Sequence, residues 1–154
     1  MNYYHKPNTH MYRCLTTSRG NKYKLGGKID AYIYENGNTV GVSEIKNRSR
    51  RIYGYDEMPI YDVDQLSVYA ILTKLDKFVI CETLKGKNYI TEYSKEELNN
   101  RWIEIKPLLD EWVDRCYNIY DKIVNDGSEM YLNLIRNGLE KNVFPMIIEI
   151  PTLF

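Results

Sequence analysis

Asp30 is followed fourteen residues later by Glu44, and Lys46 stands two positions beyond that. A strand alternates its side chains, so Glu44 and Lys46 share one face while Ile45 points to the other. Residues 35–38 read Glu-Asn-Gly-Asn, a turn signal that sets the two acids on opposite arms of a hairpin. A three-residue loop centred on Gly37 brings Asp30 directly across from Glu44, with Cβ atoms ~4.5–5.5 Å apart. A two-residue Asn36-Gly37 turn instead pairs Asp30 with Ser43 and points it away. Facing carboxylates destabilise a sheet unless something cationic lies between them. A hard divalent cation such as Mg2+ takes a few carboxylate oxygens together with water and phosphate. Lys46, on the same face, is then suited to steady an attacking hydroxide or the charge that builds on a phosphate. The plainer alternative is an exposed hairpin face with an ordinary salt bridge.

Three neighbouring features favour the chemical reading. Gly26-Gly27 precedes Asp30, as expected where the backbone must be approached closely. Asn47, Arg48, Arg50 and Arg51 follow the second arm at once. The planar forks of the three arginines suit phosphate, with Lys28 as a further candidate and pairing with Asp56 or Glu57 as the alternative. Gln65 and Tyr69 then fall at i and i+4, on one face of the next helix. Asp62 and Asp64 are expected as capping or surface groups, with a third metal-side carboxylate from that helix as the alternative. Trp102, Trp112, Tyr117 and Tyr120 have the spacing of core residues, and Cys81 is expected to pack. His5 and His10 are expected at the surface.

Residues 1–20 are polar, basic and aperiodic, which predicts an irregular lead-in. Alternation over residues 23–34 predicts a strand interrupted at Gly26-Gly27, and residues 39–46 a second strand. A basic, Pro-containing loop at 47–61 leads to a helix over 62–75 capped by Asp62. Residues 77–83 and 87–93 read as another hairpin around Lys85-Gly86. Ser94 with Glu97 forms a capping box. Leu98, Trp102, Ile105, Leu109, Trp112, Cys116, Ile119 and Ile123 continue at helical spacing, with Pro107 expected to kink or divide the helix. A last helix is expected at 129–140, followed by an apolar tail at 143–154 suited to the core, a homodimer or a partner protein. Hairpin, helix, hairpin and helices make an α/β or α+β pattern.

The chain has 154 residues, 44% hydrophobic and 27% charged, a composition expected of one globular domain. Its formal charge is zero, which argues against a wholly basic coat protein. Yet residues 1–51 hold ten of the twenty-one Lys and Arg and only three of the twenty-one Asp and Glu, as expected if one face meets an anionic polymer. Three cysteines without CxxC spacing, no charged-then-apolar leader and no apolar run of ~20 residues predict an intracellular, soluble, non-secreted protein without zinc or structural disulfides.

Gly-Gly-Lys-Ile-Asp at 26–30, Ser-Glu-Ile-Lys-Asn-Arg at 43–48 and Tyr-Asp-Val-Asp-Gln-Leu-Ser-Val-Tyr at 61–69 together resemble the PD-(D/E)xK nuclease superfamily. The likeness is to its RecB-like branch, marked by GxxD, ExK and QxxxY, and covers about residues 23–80. It implies a restriction-endonuclease-like α/β core, a central mixed sheet flanked by helices, with a helical C-terminal part. One nuclease-like domain over 1–154 would then comprise a lead-in at 1–20, a catalytic core at 21–93 and a helical part with tail at 94–154. Asp30, Glu44 and the carbonyl of Ile45 would bind Mg2+ or Mn2+. Lys46 would be the catalytic lysine, and Gln65 and Tyr69 would orient the site. The implied activity is hydrolysis of phosphodiester bonds, first in DNA and second in RNA, in replication, recombination or repair. The competing class is a non-catalytic nucleic-acid-binding or regulatory subunit with the same fold. Many RecB-like nucleases add an acid or histidine from an upstream helix, whereas the stretch before Asp30 here is short and not evidently helical.

Overall fold

The computed structural model describes residues 2–4 and 9–126; His5, the expected helix at 129–140 and the tail at 143–154 lie outside the described residues. Among the described residues, seven strands and three helices follow in the order β1 (Asn2–Tyr4), β2 (Thr9–Thr16), β3 (Lys22–Ile29), β4 (Ala31–Glu35), β5 (Asn38–Asn47), α1 (Gly54–Glu57), α2 (Ile60–Thr73), β6 (Lys77–Leu84), β7 (Lys87–Tyr93) and α3 (Lys95–Asp126). The fold is α/β. The chain divides into two compact units, one of Met1–Met11 with Gly27–Ile105, the other of Tyr12–Gly26 with Lys106–Phe154.

The first unit is built on a five-stranded mixed sheet in the order β1-β4-β5-β6-β7. β5 and β6 are parallel, joined through α1 and α2, and the other neighbours run antiparallel. β5 is central, and Gly41, Val42, Ser43 and Glu44 are buried in succession. A strand covered on both faces loses the in-out alternation that an edge strand keeps. α2 covers one face, where Leu66, Tyr69 and Ala70 join Val42, Phe78, Ile80, Tyr93 and Leu98 in one core. Apolar positions run around α2 because it packs on more than one side.

Two tight turns follow their residue types. Asn36 and Gly37 both have positive φ between β4 and β5, as do Lys85 and Gly86 between β6 and β7. Two consecutive left-handed residues match the right-handed twist of hairpin strands. At the start of α3 the Ser94 and Glu97 side chains cap one another's backbone, with Glu97 N–H to Ser94 Oγ at 3.1 Å and Ser94 N–H to Glu97 Oε2 at 2.8 Å.

Three expectations change. The lead-in is not irregular throughout, since β1 pairs with β4 and β2 forms a two-stranded sheet with β3. The strand expected over 23–34 breaks at Asp30 rather than at Gly26-Gly27, and its halves join different sheets. Pro107 lies inside α3 without ending it. A proline lacks one N–H and clashes with one carbonyl, a local penalty of ~3 kcal/mol that a long helix can absorb.

In the second unit, Asp114 of α3 gathers the β2–β3 connection. Thr17 Oγ1 and Asn21 Nδ2 each donate to Asp114 Oδ1 at 2.7 Å. These bonds, the Thr17 hydroxyl first, hold the Asp114 carboxyl below its ordinary range. Tyr23, fully buried, donates from its hydroxyl to Asp110 at 2.9 Å. Among the described residues no helix is long and apolar enough to cross a membrane.

Gly41 faces Lys77 across the parallel β5–β6 pair, where an added Cβ would stand 2.2 Å from the Lys77 carbonyl oxygen. Backbone cannot swing aside as a side-chain tip can. Gly41→Ala is therefore expected to cost at the upper end of the ~1–3 kcal/mol of an overpacked core. A urea melt of this variant beside wild type checks it, and a midpoint unchanged from wild type would contradict it.

Candidate functional site

The register of β4 on β5 resolves the two turn alternatives in an unexpected way. The turn has two residues, with Glu35 opposite Asn38 and Tyr34 opposite Thr39. Between Tyr34 and Ile33 the register then shifts, so that Ile33 faces Gly41 and Ala31 faces Ser43. Val40 is the extra residue of this bulge, and its carbonyl accepts from the Asp76 N–H at 3.2 Å. Beyond the shift, Asp30 falls in line with Glu44 despite the two-residue turn. The turn type alone would have sent Asp30 to the other face.

Asp30 sits at the break between β3 and β4, and its Oδ2 accepts from the Ile45 N–H at 3.0 Å. The N–H and C=O of one strand residue point to the same edge. The Ile45 carbonyl therefore faces the Asp30 side. Glu44 is 3% exposed, and the Lys46 ammonium meets its Oε1 at 2.8 Å. Its Oε2 is buried without a hydrogen-bond partner. The Tyr69 hydroxyl also interacts with this carboxylate, but its single proton goes to the Lys28 carbonyl at 2.6 Å. Burial, reinforced by the charge of Asp30 and opposed by Lys46, pushes the Glu44 carboxyl up to about 7.

Lys46 is the hub. Its ammonium donates to Gln65 Oε1 at 2.8 Å and meets Asp62 Oδ1 at 3.1 Å as well as Glu44. Burial alone would lower its pKa, but Glu44 and then Asp62 hold it above the ordinary lysine value. Gln65 Nε2 donates onward to the Tyr69 hydroxyl at 2.8 Å. Burial and then the Glu44 charge raise the Tyr69 hydroxyl, so it stays a proton donor. Gly27 makes room for this arrangement, because a Cβ there would lie 2.7 Å from Tyr69 Cε1. The GxxD and QxxxY segments thus fit each other sterically as well as through Lys28.

Asp30, Glu44, Lys46, Gln65 and Tyr69 therefore belong to one connected polar cluster. Arg48 does not join it as a free phosphate ligand. Its side chain is 12% exposed and turned inward, with NH2 to Asp62 Oδ2 at 2.7 Å and Nε to Glu82 Oε1 at 2.8 Å. Of the other basic candidates, Arg50 and Lys28 are exposed. Arg51 is exposed too, pairs with Glu57 at 3.0 Å and lies 4.7 Å over the Tyr53 ring. His10 is exposed on β2.

Asp62 departs furthest from its expected capping or surface role. It is fully buried inside α2, whose N-cap is Pro59, while Asp64 pairs with Arg101 at 2.5 Å. A sequence signal for Asp62 existed: 62, 65 and 69 are i, i+3 and i+7, one stripe of a helix. Glu82, equally buried, accepts from Arg48 and from the N–H groups of Tyr53 and Gly54 at 3.1 and 3.0 Å. Nothing in the β6 sequence marks it, because its partners come from a separate loop.

Among the described residues no group of three or more His, Cys, Asp or Glu is gathered as a metal site. Two carboxylates and one main-chain carbonyl remain on hand. That is the donor set a small hard cation accepts when water or phosphate completes its shell. The buried, unpartnered Glu44 Oε2 is an acceptor that such an ion would satisfy.

No protein-family model matches the chain, and no curated protein matches it. Among solved structures, the crystal structure of SSO0001 is similar, with a TM-score of 0.48 at 20% identity over 69% of this chain and 50% of that one. This chain thus spans about half the length of SSO0001.

The raised Glu44 gives a pH prediction for metal-free protein. Its folded pKa lies above the unfolded value, so the folded state keeps a proton that the unfolded chain has already lost. Stability should therefore fall as pH rises from the ordinary glutamate range through about 7, by on the order of 3 kcal/mol, and level off above. Urea melts in EDTA from pH 4 to 8 measure it. Glu44→Gln should flatten the profile, and an equally steep profile in that variant would refute the assignment.

Proposed function

We propose that this chain is a Mg2+- or Mn2+-dependent nuclease with a restriction-endonuclease-like core, hydrolysing phosphodiester bonds, DNA before RNA. The observation that carries the reading is the bulge-shifted register, which sets Asp30 against the Ile45 N–H beside a buried Glu44 and a paired Lys46. Without a cation or phosphate to serve, this cluster buries a carboxylate oxygen unpartnered at a cost of roughly 1–3 kcal/mol. A substrate role explains why it is kept.

Asp30, Glu44 and the Ile45 carbonyl would hold the ion, which when bound supplies an activated water and screens the phosphate charge. The Ile45 N–H fixes the Asp30 carboxylate, so that its second oxygen is directed without reorganisation. Lys46, kept charged, places a cation beside the phosphate oxygens where negative charge grows. Gln65 fixes the lysine amine, and Tyr69 fixes the Gln65 amide through the Lys28 carbonyl. Arg50 and Arg51 are exposed cations on the loop that leaves β5 and would hold the phosphate backbone. The Arg51–Glu57 pair is solvent-exposed and therefore weak, so a phosphate can displace it.

The deciding experiment incubates plasmid and labelled oligonucleotides with the protein and Mg2+, Mn2+ or EDTA. Metal-dependent cleavage is expected. Asp30→Asn and Glu44→Gln should each abolish it while retaining the shapes of the side chains they replace. Lys46→Ala should lose ~100-fold or more, the usual scale for one electrostatic contact to a transition state. Binding of oligonucleotide without cleavage under any metal would favour a non-catalytic nucleic-acid-binding subunit.

Arg50→Ala with Arg51→Ala, in the Glu44→Gln background, should weaken DNA binding whatever its base sequence. It should also flatten the plot of log affinity against log salt by about one to two units. Weaker binding with an unchanged slope would assign both arginines to loop structure.

A further inference from the structure

Three acceptors surround the Lys46 ammonium, and they are not equivalent. Glu44 is the carboxylate that the proposed chemistry draws away to a cation. Gln65 is neutral. Asp62 alone is an anion with no other place to go: it is fully buried, and its second oxygen is taken by Arg48 at 2.7 Å. Arg48 is itself anchored on Glu82, which also ties down the Tyr53 and Gly54 backbone. The Asp62 carboxylate can neither swing toward solvent nor approach the Asp30 side.

We infer that Asp62 is a positioning residue: it holds the Lys46 ammonium in place while Glu44 is engaged elsewhere, with Arg48 as its dedicated counter-ion. The inference rests on the nuclease reading for its consequence in catalysis, though the contact itself does not. Lysine is a flexible point charge on four carbons and goes to the strongest nearby anion. Without Asp62 that anion is Glu44, and the lysine then occupies a carboxylate that the reaction needs. With Asp62, the ammonium stays hydrogen-bonded to Gln65 and ion-paired with Asp62 at 3.1 Å, both outside the reaction, and its remaining side is left to face phosphate. Burying a carboxylate beside two cations is otherwise expensive, since each charge must be desolvated before they attract. The i, i+3 and i+7 spacing of Asp62, Gln65 and Tyr69 lets one helix stripe carry the whole support of the lysine.

The test compares wild type with Asp62→Asn by steady-state cleavage, and separately by proton–nitrogen NMR of the lysine ammonium groups in metal-free buffer. The Lys46 resonance is assigned by its disappearance in Lys46→Gln. Asp62→Asn should lower kcat by about 100-fold, the scale of a misplaced catalytic group, with KM little changed. Its Lys46 ammonium signal, slow to exchange in wild type, should broaden into solvent exchange. If Asp62→Asn alone fails to fold, Arg48→Gln with Asp62→Asn removes both charges together, and comparison with Arg48→Gln isolates the aspartate. An unchanged kcat, or a loss confined to KM, overturns the catalytic consequence. An unchanged Lys46 resonance overturns the contact. Should wild type cleave nothing, the resonance still decides whether Asp62 holds Lys46, and the nuclease reading falls by itself.

Discussion

The extra residue that β5 carries at Val40 decides which face of the sheet receives Asp30. A two-residue turn with positive φ at Asn36 and Gly37 closes the β4–β5 hairpin and sets its first pairs. Carried along unaltered, that register would place Asp30 beside Ser43, on the face away from Glu44. The bulge adds one position to β5 and moves every later partner by one. Asp30 then lies just before β4 begins, where the Ile45 N–H needs an acceptor, and its carboxylate supplies one. Gly41, opposite Ile33 just past the bulge, also faces Lys77 on β6, where an added Cβ would meet the Lys77 backbone.

From that point the site is assembled by charge. Glu44 and Glu82 of the sheet and Asp62 of α2 are all buried, each with 3% exposure or less. A buried carboxylate is tolerated only where hydrogen bonds and opposite charges replace water. Lys46 near the end of β5 and Arg48 just beyond it supply those charges in order. Lys46 serves Glu44 and Asp62, and Arg48 serves Asp62 and Glu82. Asp62 thus joins two ion pairs into one row, which explains why an arginine in a basic loop is not free for phosphate. Glu44 Oε2 and Asp62 Oδ1 are both buried without a hydrogen-bond partner, and Glu44, whose carboxyl burial pushes up to about 7, is the one of the two beside Asp30.

Sterics bind the same residues. Gly27 leaves space for the Tyr69 ring, and the Tyr69 hydroxyl reaches the Lys28 carbonyl next to it. The backbone leading to Asp30 is therefore held by the helix that carries Gln65. Shape and hydrogen bonding act on one set of side chains, so the positions of Asp30 and Lys46 are not independent.

Local rules acting over a few residues were legible without coordinates. The turns at residues 35–38 and around Lys85-Gly86, the Ser94–Glu97 capping box, the helix bearing Gln65 and Tyr69, and the shared face of Glu44 and Lys46 each depend on neighbours within one turn or one pleat. The candidate acids, lysine, glutamine and tyrosine were therefore nameable in advance, although the sequence left the hairpin register open between two answers. Tertiary structure settled what depends on partners distant along the chain. It broke the expected first strand at Asp30, because β3 and β4 have different sheets to join. It supplied the bulge, and it buried Asp62 and Glu82, since the burial of a carboxylate depends on which cations meet it. Arg48 shows the limit most clearly. Its neighbours in sequence say basic loop, whereas Asp62 and Glu82, fourteen and thirty-four residues away, make it an interior ion, and no local pattern encodes a pairing that only the packing of α2 and β6 brings within reach.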